Sequence, residues 1–111
     1  MPKTYYNKLV RDRIPEIIKS EGKTCEIEIL DDEAYLKALE AKLDEEVAEY
    51  HENPSVEELV DIWTVLLSIC HARGYDVAEA SRRLINKTCD RGSFSKQILL
   101  KWVDDGEGES E

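Results

Sequence analysis

Residues 45–61 read EEVAEYHENPSVEELVD, and this stretch decides the fold because it holds the end of one helical pattern, a break, and the start of another. Upstream, Leu36, Leu39, Leu43, Val47 and Tyr50 recur at steps of three and four, the apolar stripe of an amphipathic helix over about 33–52. Pro54 cannot continue that helix, since its ring removes a backbone donor and clashes with the preceding turn, and Ser55 is a good N-cap for the next one. A second helix is therefore expected over about 56–73, with Gly74 ending it. The short break makes the two helices antiparallel neighbours. In the second, LVDIWTVLLSIC is apolar on every side, which predicts the central and most buried helix, with a second subunit against one side.

Working outward, YYNKLVRDRIPEIIKSEG places Pro15 at the first turn of a short helix that ends at Gly22. KTCEIEIL then alternates with a period of two, setting Cys25, Ile27 and Ile29 against Glu26 and Glu28, the pattern of a short strand. Beyond Gly74, Asp76 followed by Glu79 is a capping-box start for another helix, with Val77, Ala80, Leu84, Ile85 and Thr88 on its inner face, stopping before RGSF. QILLKWV reads as a strand pairing with KTCEIEIL. The expected fold is mainly α: an antiparallel helix bundle with a small two-stranded β element, assembled as an oligomer. One domain over 1–103 suffices, with 104–111 (DDGEGESE) as a disordered acidic tail.

The chain has 111 residues and a net charge of −10, of which the five acids of the tail supply half. That balance argues against binding DNA or RNA through a broad basic face. The absence of a long apolar run argues against a membrane span or an export signal and favours the cytoplasm. Cys25, Cys70 and Cys89 are odd in number and lack C-x-x-C spacing, so buried free thiols are expected in place of disulfides or a zinc site.

Between Lys42 and Arg73 there is no Lys or Arg, yet residues 45–61 carry seven acids. Glu46 and Glu49 project from one face of the first long helix, and Glu58 and Asp61 from one face of the second. Four carboxylates facing one another without a cation would repel by several kcal/mol in a partly buried site, at roughly the effective dielectric of protein, or would have to take up protons; a bound metal removes that cost. All-oxygen ligation suits a hard ion, Mg²⁺ or Mn²⁺. Competing explanations exist for most of these acids. Glu45, Glu49, Glu52 and Glu57 suit a solvated helix face, and Glu58 completes a capping box with Ser55. Asp61, set among apolar neighbours in LVDIW, has the least other reason to be there. A carboxylate-bridged di-iron centre would require Glu-x-x-His, whereas His51 and His71 follow Ala48 and Ser68.

The pattern Glu45-Glu46-Val47-Ala48-Glu49 followed by Glu58-Leu59-Val60-Asp61 resembles the Glu-Glu-x-x-Glu, Glu-x-x-Asp motif of the all-α NTP pyrophosphohydrolase superfamily, which includes MazG, dimeric dUTPases and phosphoribosyl-ATP pyrophosphohydrolase. The flanks YNKLVRDRIPEII and NKTCDRGSF resemble the small single-domain MazG-like or phosphoribosyl-ATP pyrophosphohydrolase-like subgroup, and together the likeness covers nearly 5–100. It implies a Mg²⁺-dependent helical homodimer or higher homo-oligomer that splits a nucleoside triphosphate or related compound into the monophosphate and pyrophosphate. Carried over by the motif, Glu46, Glu49, Glu58 and Asp61 are metal ligands, while Glu45 orients the attacking water or completes the outer shell. Ser93 stands where RGGF is common in the subgroup, which matters only if position 93 needs a positive φ.

Such chemistry also needs positive charge for the phosphates. The candidates are Lys8 and Arg11, and Lys87 and Arg91 four apart near a helix end, where Gly92 lets the backbone approach a phosphate. Plain alternatives are pairing of Lys8 or Arg11 with Asp12, capping of the first helix by Asn7, and favourable interaction of Lys87 and Arg91 with a helix C-terminus. Two other functions stay open at this level: the histidine-pathway phosphoribosyl-ATP pyrophosphohydrolase, and a non-catalytic acidic helical module.

Overall fold

A computed structural model describes residues 2–106. The last five residues of the expected acidic tail lie outside the described residues. The described chain is helical, with α1 at Ile14–Ser20, α2 at Asp32–Glu52, α3 at Val56–Ala72 and α4 at Val77–Arg91.

Each boundary has a local cause. Pro15 sits in the first turn of α1, where its missing N–H costs nothing. The Asp31 side chain accepts from the Ala34 amide at 2.8 Å and caps α2, with Asp32 and Glu33 in the first turn suiting the helix dipole. Ser55 Oγ accepts from the Glu58 amide at 3.2 Å and starts α3 three residues after α2 has ended. Gly74 at φ +76° ends α3 in a left-handed turn that other residues adopt reluctantly. Gly92, at φ +83°, does the same for α4 and gives its amide to the Thr88 carbonyl at 2.8 Å. Ser93 is not among the positive-φ residues, so serine after Gly92 is unstrained.

The chain divides into two compact units, Met1–Val77 and Ala78–Glu111. In the first, α2 packs against α3 as an antiparallel pair. Its seam is formed by Leu36, Leu39 and Leu43 of α2 with Ile62, Val65 and Ile69 of α3, of which Leu39 and Val65 are buried and the others half-buried. Each of those two contributes roughly 1.5–3 kcal/mol on leaving water. The second unit consists of most of α4 and an irregular segment after it, in which Phe94, Ile98, Leu99, Trp102 and Val103 are largely exposed.

The structure bears on three expectations. First, α3 is not sunk in a core: Leu59, Val60, Trp63, Leu66 and Leu67 are all exposed, because within its unit α3 packs on one helix only. Second, residues 23–30 and 97–103 have no secondary structure among the described residues. Third, the thiols are not buried: Cys25 and Cys89 are exposed and Cys70 is half-buried. No helix of the described residues is long and apolar enough to cross a membrane.

Candidate metal centre

The seam of α2 reads Leu36, Leu39, Leu43, Glu46, Tyr50, at steps of three, four, three and four. Glu46, not Val47, takes the fourth position, and it is 5% exposed whereas Val47 faces water. On α3 the half-buried seam positions Glu58, Asp61 and Ile62 lead into Val65 by the same steps. The apolar interface thus becomes acidic as it approaches the turn at 53–55. Carboxylate oxygens of Glu46, Glu58 and Asp61 lie within 4.8 Å of one another, as do those of Glu45, Glu46 and Glu49, so Glu46 belongs to both groups. All four acids expected to ligate a metal, and Glu45 beside them, are brought together in the first unit.

The cations around them are specific. Lys42 Nζ lies 3.2 Å from Glu46 Oε1 and 3.4 Å from Glu45 Oε2, one turn back on the same helix. Lys8 Nζ lies 3.0 Å from Glu45 Oε1. Arg11 Nη2 donates to Asp61 Oδ1 at 2.7 Å and to Thr64 Oγ1 at 3.2 Å, while Thr64 donates to the Val60 carbonyl at 2.9 Å. Arg11 and Lys8 therefore pair with the acid cluster and not with Asp12. Asn7 does not cap α1, whose N-cap is Arg13. Asp61, with its side chain 37% exposed and paired to Arg11, is not the buried, unpaired acid that its apolar neighbours suggest. The buried acid is Glu46, whose Oε1 pairs with Lys42 while its Oε2 meets no donor among the described residues.

Three cations against five carboxylates leave two negative charges uncompensated, and two buried oxygens, Glu46 Oε2 and Glu58 Oε2, have no hydrogen-bond partner. A buried acceptor left in that state costs about 1–3 kcal/mol. For Glu58 this also limits the capping-box reading, since Ser55 caps α3 while Glu58 Oε2 finds no donor. The electrostatics run the same way. The charge of Glu46, reinforced by burial and by Glu58 and Glu45, pushes the Glu49 carboxyl above its ordinary value. At Glu45 burial pushes up, but the hydrogen bond from Lys8 and the charge of Lys42 outweigh it and hold the carboxyl low. Lys8 is raised in turn, chiefly by its hydrogen bond to Glu45.

The two acid groups could hold a metal ion. All the donors are hard carboxylate oxygens, the kind that suits Mg²⁺ or Mn²⁺. The ion would neutralise the two excess charges and give Glu46 Oε2 and Glu58 Oε2 a partner. Of the other expected phosphate-binding residues, Lys87 and Arg91 stand exposed in the last turns of α4, with Gly92 just beyond; all three belong to the second unit. Sequence reasoning passed over two residues. Lys42 is legible in hindsight, because Lys at i and Glu at i+4 is a recognised helical pair. Thr64 carries no such signal, being one of two hydroxyl side chains, with Ser68, in α3.

No family model matches the chain, and no solved structure matches it. It is similar to an uncharacterised protein of Mycolicibacterium smegmatis, 63% identical over 41 residues. The match spans 37% of this chain and 42% of that relative.

Proposed function

We propose that the chain is a Mg²⁺-dependent nucleotide pyrophosphohydrolase, with Mn²⁺ able to substitute, that cleaves a nucleoside triphosphate or related compound to the monophosphate and pyrophosphate. The observation that carries this reading is Glu46: a carboxylate on a helix seam, nine-tenths buried, with one oxygen lacking any partner and within reach of Glu58 and Asp61. Structural seams avoid such groups because of their desolvation cost, and a bound cation removes it. In this reading Glu46, Glu49, Glu58 and Asp61 hold the ion. Glu45, already engaged by two lysines, positions the attacking water. Lys8, Arg11, Lys87, Arg91 and the Gly92 backbone are the candidates for the phosphates. The ion would polarise the anhydride phosphoryl group and lower the pKa of the attacking water.

The motif resemblance favours a house-cleaning enzyme of the MazG-like type working in the cytoplasm on nucleotides, without nucleic-acid polymer or membrane. It also favours a homodimer or higher homo-oligomer, and the uncovered apolar side of α3 supports that assembly. The small two-stranded β element expected from KTCEIEIL and QILLKWV belongs to the same proposal. The deciding experiment measures pyrophosphate release from a panel of canonical and modified triphosphates, and from phosphoribosyl-ATP, with and without Mg²⁺. Metal-dependent release that disappears in Asp61→Asn and Glu46→Gln, with both proteins still helical, is expected. Turnover by Glu46→Gln equal to wild type would falsify the assignment. Salt-sensitive binding to a basic protein, indifferent to EDTA, would instead favour an acidic docking module.

A further inference from the structure

The N-terminal segment over 7–13 lies against the acid cluster by two side chains of opposite charge to it. Lys8 reaches Glu45 on α2 and Arg11 reaches Asp61 and Thr64 on α3, so the segment bridges both helices of the pair. Apart from a turn at its end it has no secondary structure, and Asn7 within it sits at φ +46°. Both ion pairs are solvated, with Arg11 56% and Lys8 41% exposed, so their hold is weak. Under the segment, between Asn7, Lys8, Leu9 and Ala38, Ala41, Lys42, Glu45 of α2, is a cleft of about 120 Å³. Sites that enclose small molecules of nucleotide size measure roughly 300–1,000 Å³. The cleft under the segment, which reaches Glu45, is smaller than such a site.

Resting on the metal-centre reading above, we propose that Lys8 and Arg11 are exchangeable counterions. With a divalent cation bound among Glu46, Glu58 and Asp61, Arg11 leaves Asp61 and Thr64, the 7–13 segment loosens, and its two cations turn to the phosphate oxygens of the substrate. The reason is electrostatic. The Asp61 oxygen that accepts from Arg11 at 2.7 Å is one side of a carboxylate whose charge would then be shared with a divalent ion, and a guanidinium that close is repelled by it. Thr64 is the resting place of the guanidinium, its hydroxyl accepting from Arg11 while donating to the Val60 carbonyl. Cation binding and substrate binding become coupled through one arginine, with Arg11 opposing the first and serving the second.

The test uses the full chain and MgCl₂ or MnCl₂ alone, followed by calorimetry. Because Arg11 competes with the ion, Arg11→Gln is expected to bind Mg²⁺ about two- to fivefold more tightly than wild type, the scale of an exposed ion pair. Thr64→Val is expected to shift affinity the same way by a smaller factor. A second readout needs no variant. Trypsin must take the Lys8 side chain into its own pocket, so cleavage after Lys8 should accelerate several-fold when Mg²⁺ is added. Equal or weaker Mg²⁺ binding by Arg11→Gln, or protection of the Lys8–Leu9 bond by Mg²⁺, overturns the exchange while leaving the metal centre standing. No Mg²⁺ or Mn²⁺ binding by wild type at millimolar concentration removes the metal centre and the exchange together.

Discussion

Glu46 stands where the three-four seam of α2 would otherwise place a fourth apolar side chain, and its free oxygen makes it a liability in the protein without metal. Glu46→Leu should therefore raise stability by about 1–3 kcal/mol, read as a higher urea midpoint in EDTA, and remove stabilisation by Mg²⁺. A loss of stability in EDTA would mean that the Lys42 pair outweighs the orphaned oxygen. Glu45 differs although it is the adjacent residue. Held by Lys8 and Lys42, its carboxylate is satisfied without an ion, so Glu45→Gln should leave Mg²⁺ affinity within about threefold while slowing pyrophosphate release, the outcome expected of the water-orienting role proposed for it.

At the scale of elements, the site depends on the register between α2 and α3, and the cap at Ser55 begins α3. Ser55→Ala should cost about 1 kcal/mol of stability, measured by denaturant melt. Because Glu58 is only three residues on, the same change should also weaken Mg²⁺ binding; an unchanged affinity would show that α3 holds Glu58 without its cap. In the second unit, Glu79 accepts from Arg82 at 2.6 Å and Arg83 at 3.2 Å. The hydrogen bonds from Arg82 and then Arg83 hold its carboxyl below the usual 4.5. Its contribution is thus complete above pH 4.5 and lost as pH falls through the lowered value. Amide or Cα chemical shifts of α4 should report decreasing helicity over that acid range in wild type, and a smaller change in Glu79→Gln.

For the whole molecule, α3 and the segments 23–30 and 97–103 expose many large apolar side chains, while Leu39 and Val65 are the buried hydrophobic residues among those described. Sedimentation should give a species heavier than one chain at micromolar concentration. Trp63→Glu, on the uncovered side of α3, should shift it towards the monomer and lower the melting temperature. A wild-type chain that sediments as a monomer with an unchanged melt in Trp63→Glu would remove the argument for assembly.

All four helices could be read from residue types alone, because Pro15, Pro54, Ser55, Gly74 and Gly92 act through the backbone within one or two turns. The grouping of Glu46, Glu49, Glu58 and Asp61 followed from the same local geometry, since i, i+3 spacing on two antiparallel helices leaves few arrangements. Which acid is buried did not follow. The stripe could be drawn through Val47 as readily as through Glu46, and only the packing of α3 selects between faces some 100° apart. Nor did the partners of Lys8 and Arg11, which are 37 and 50 residues from the acids they meet, follow from the chain order. Local sequence determined where the helices begin and end and which carboxylates share a face; tertiary packing decided which of them loses its water and which cations stand guard, because desolvation and long-range ion pairing exist only once α2, α3 and the N-terminal segment have come together.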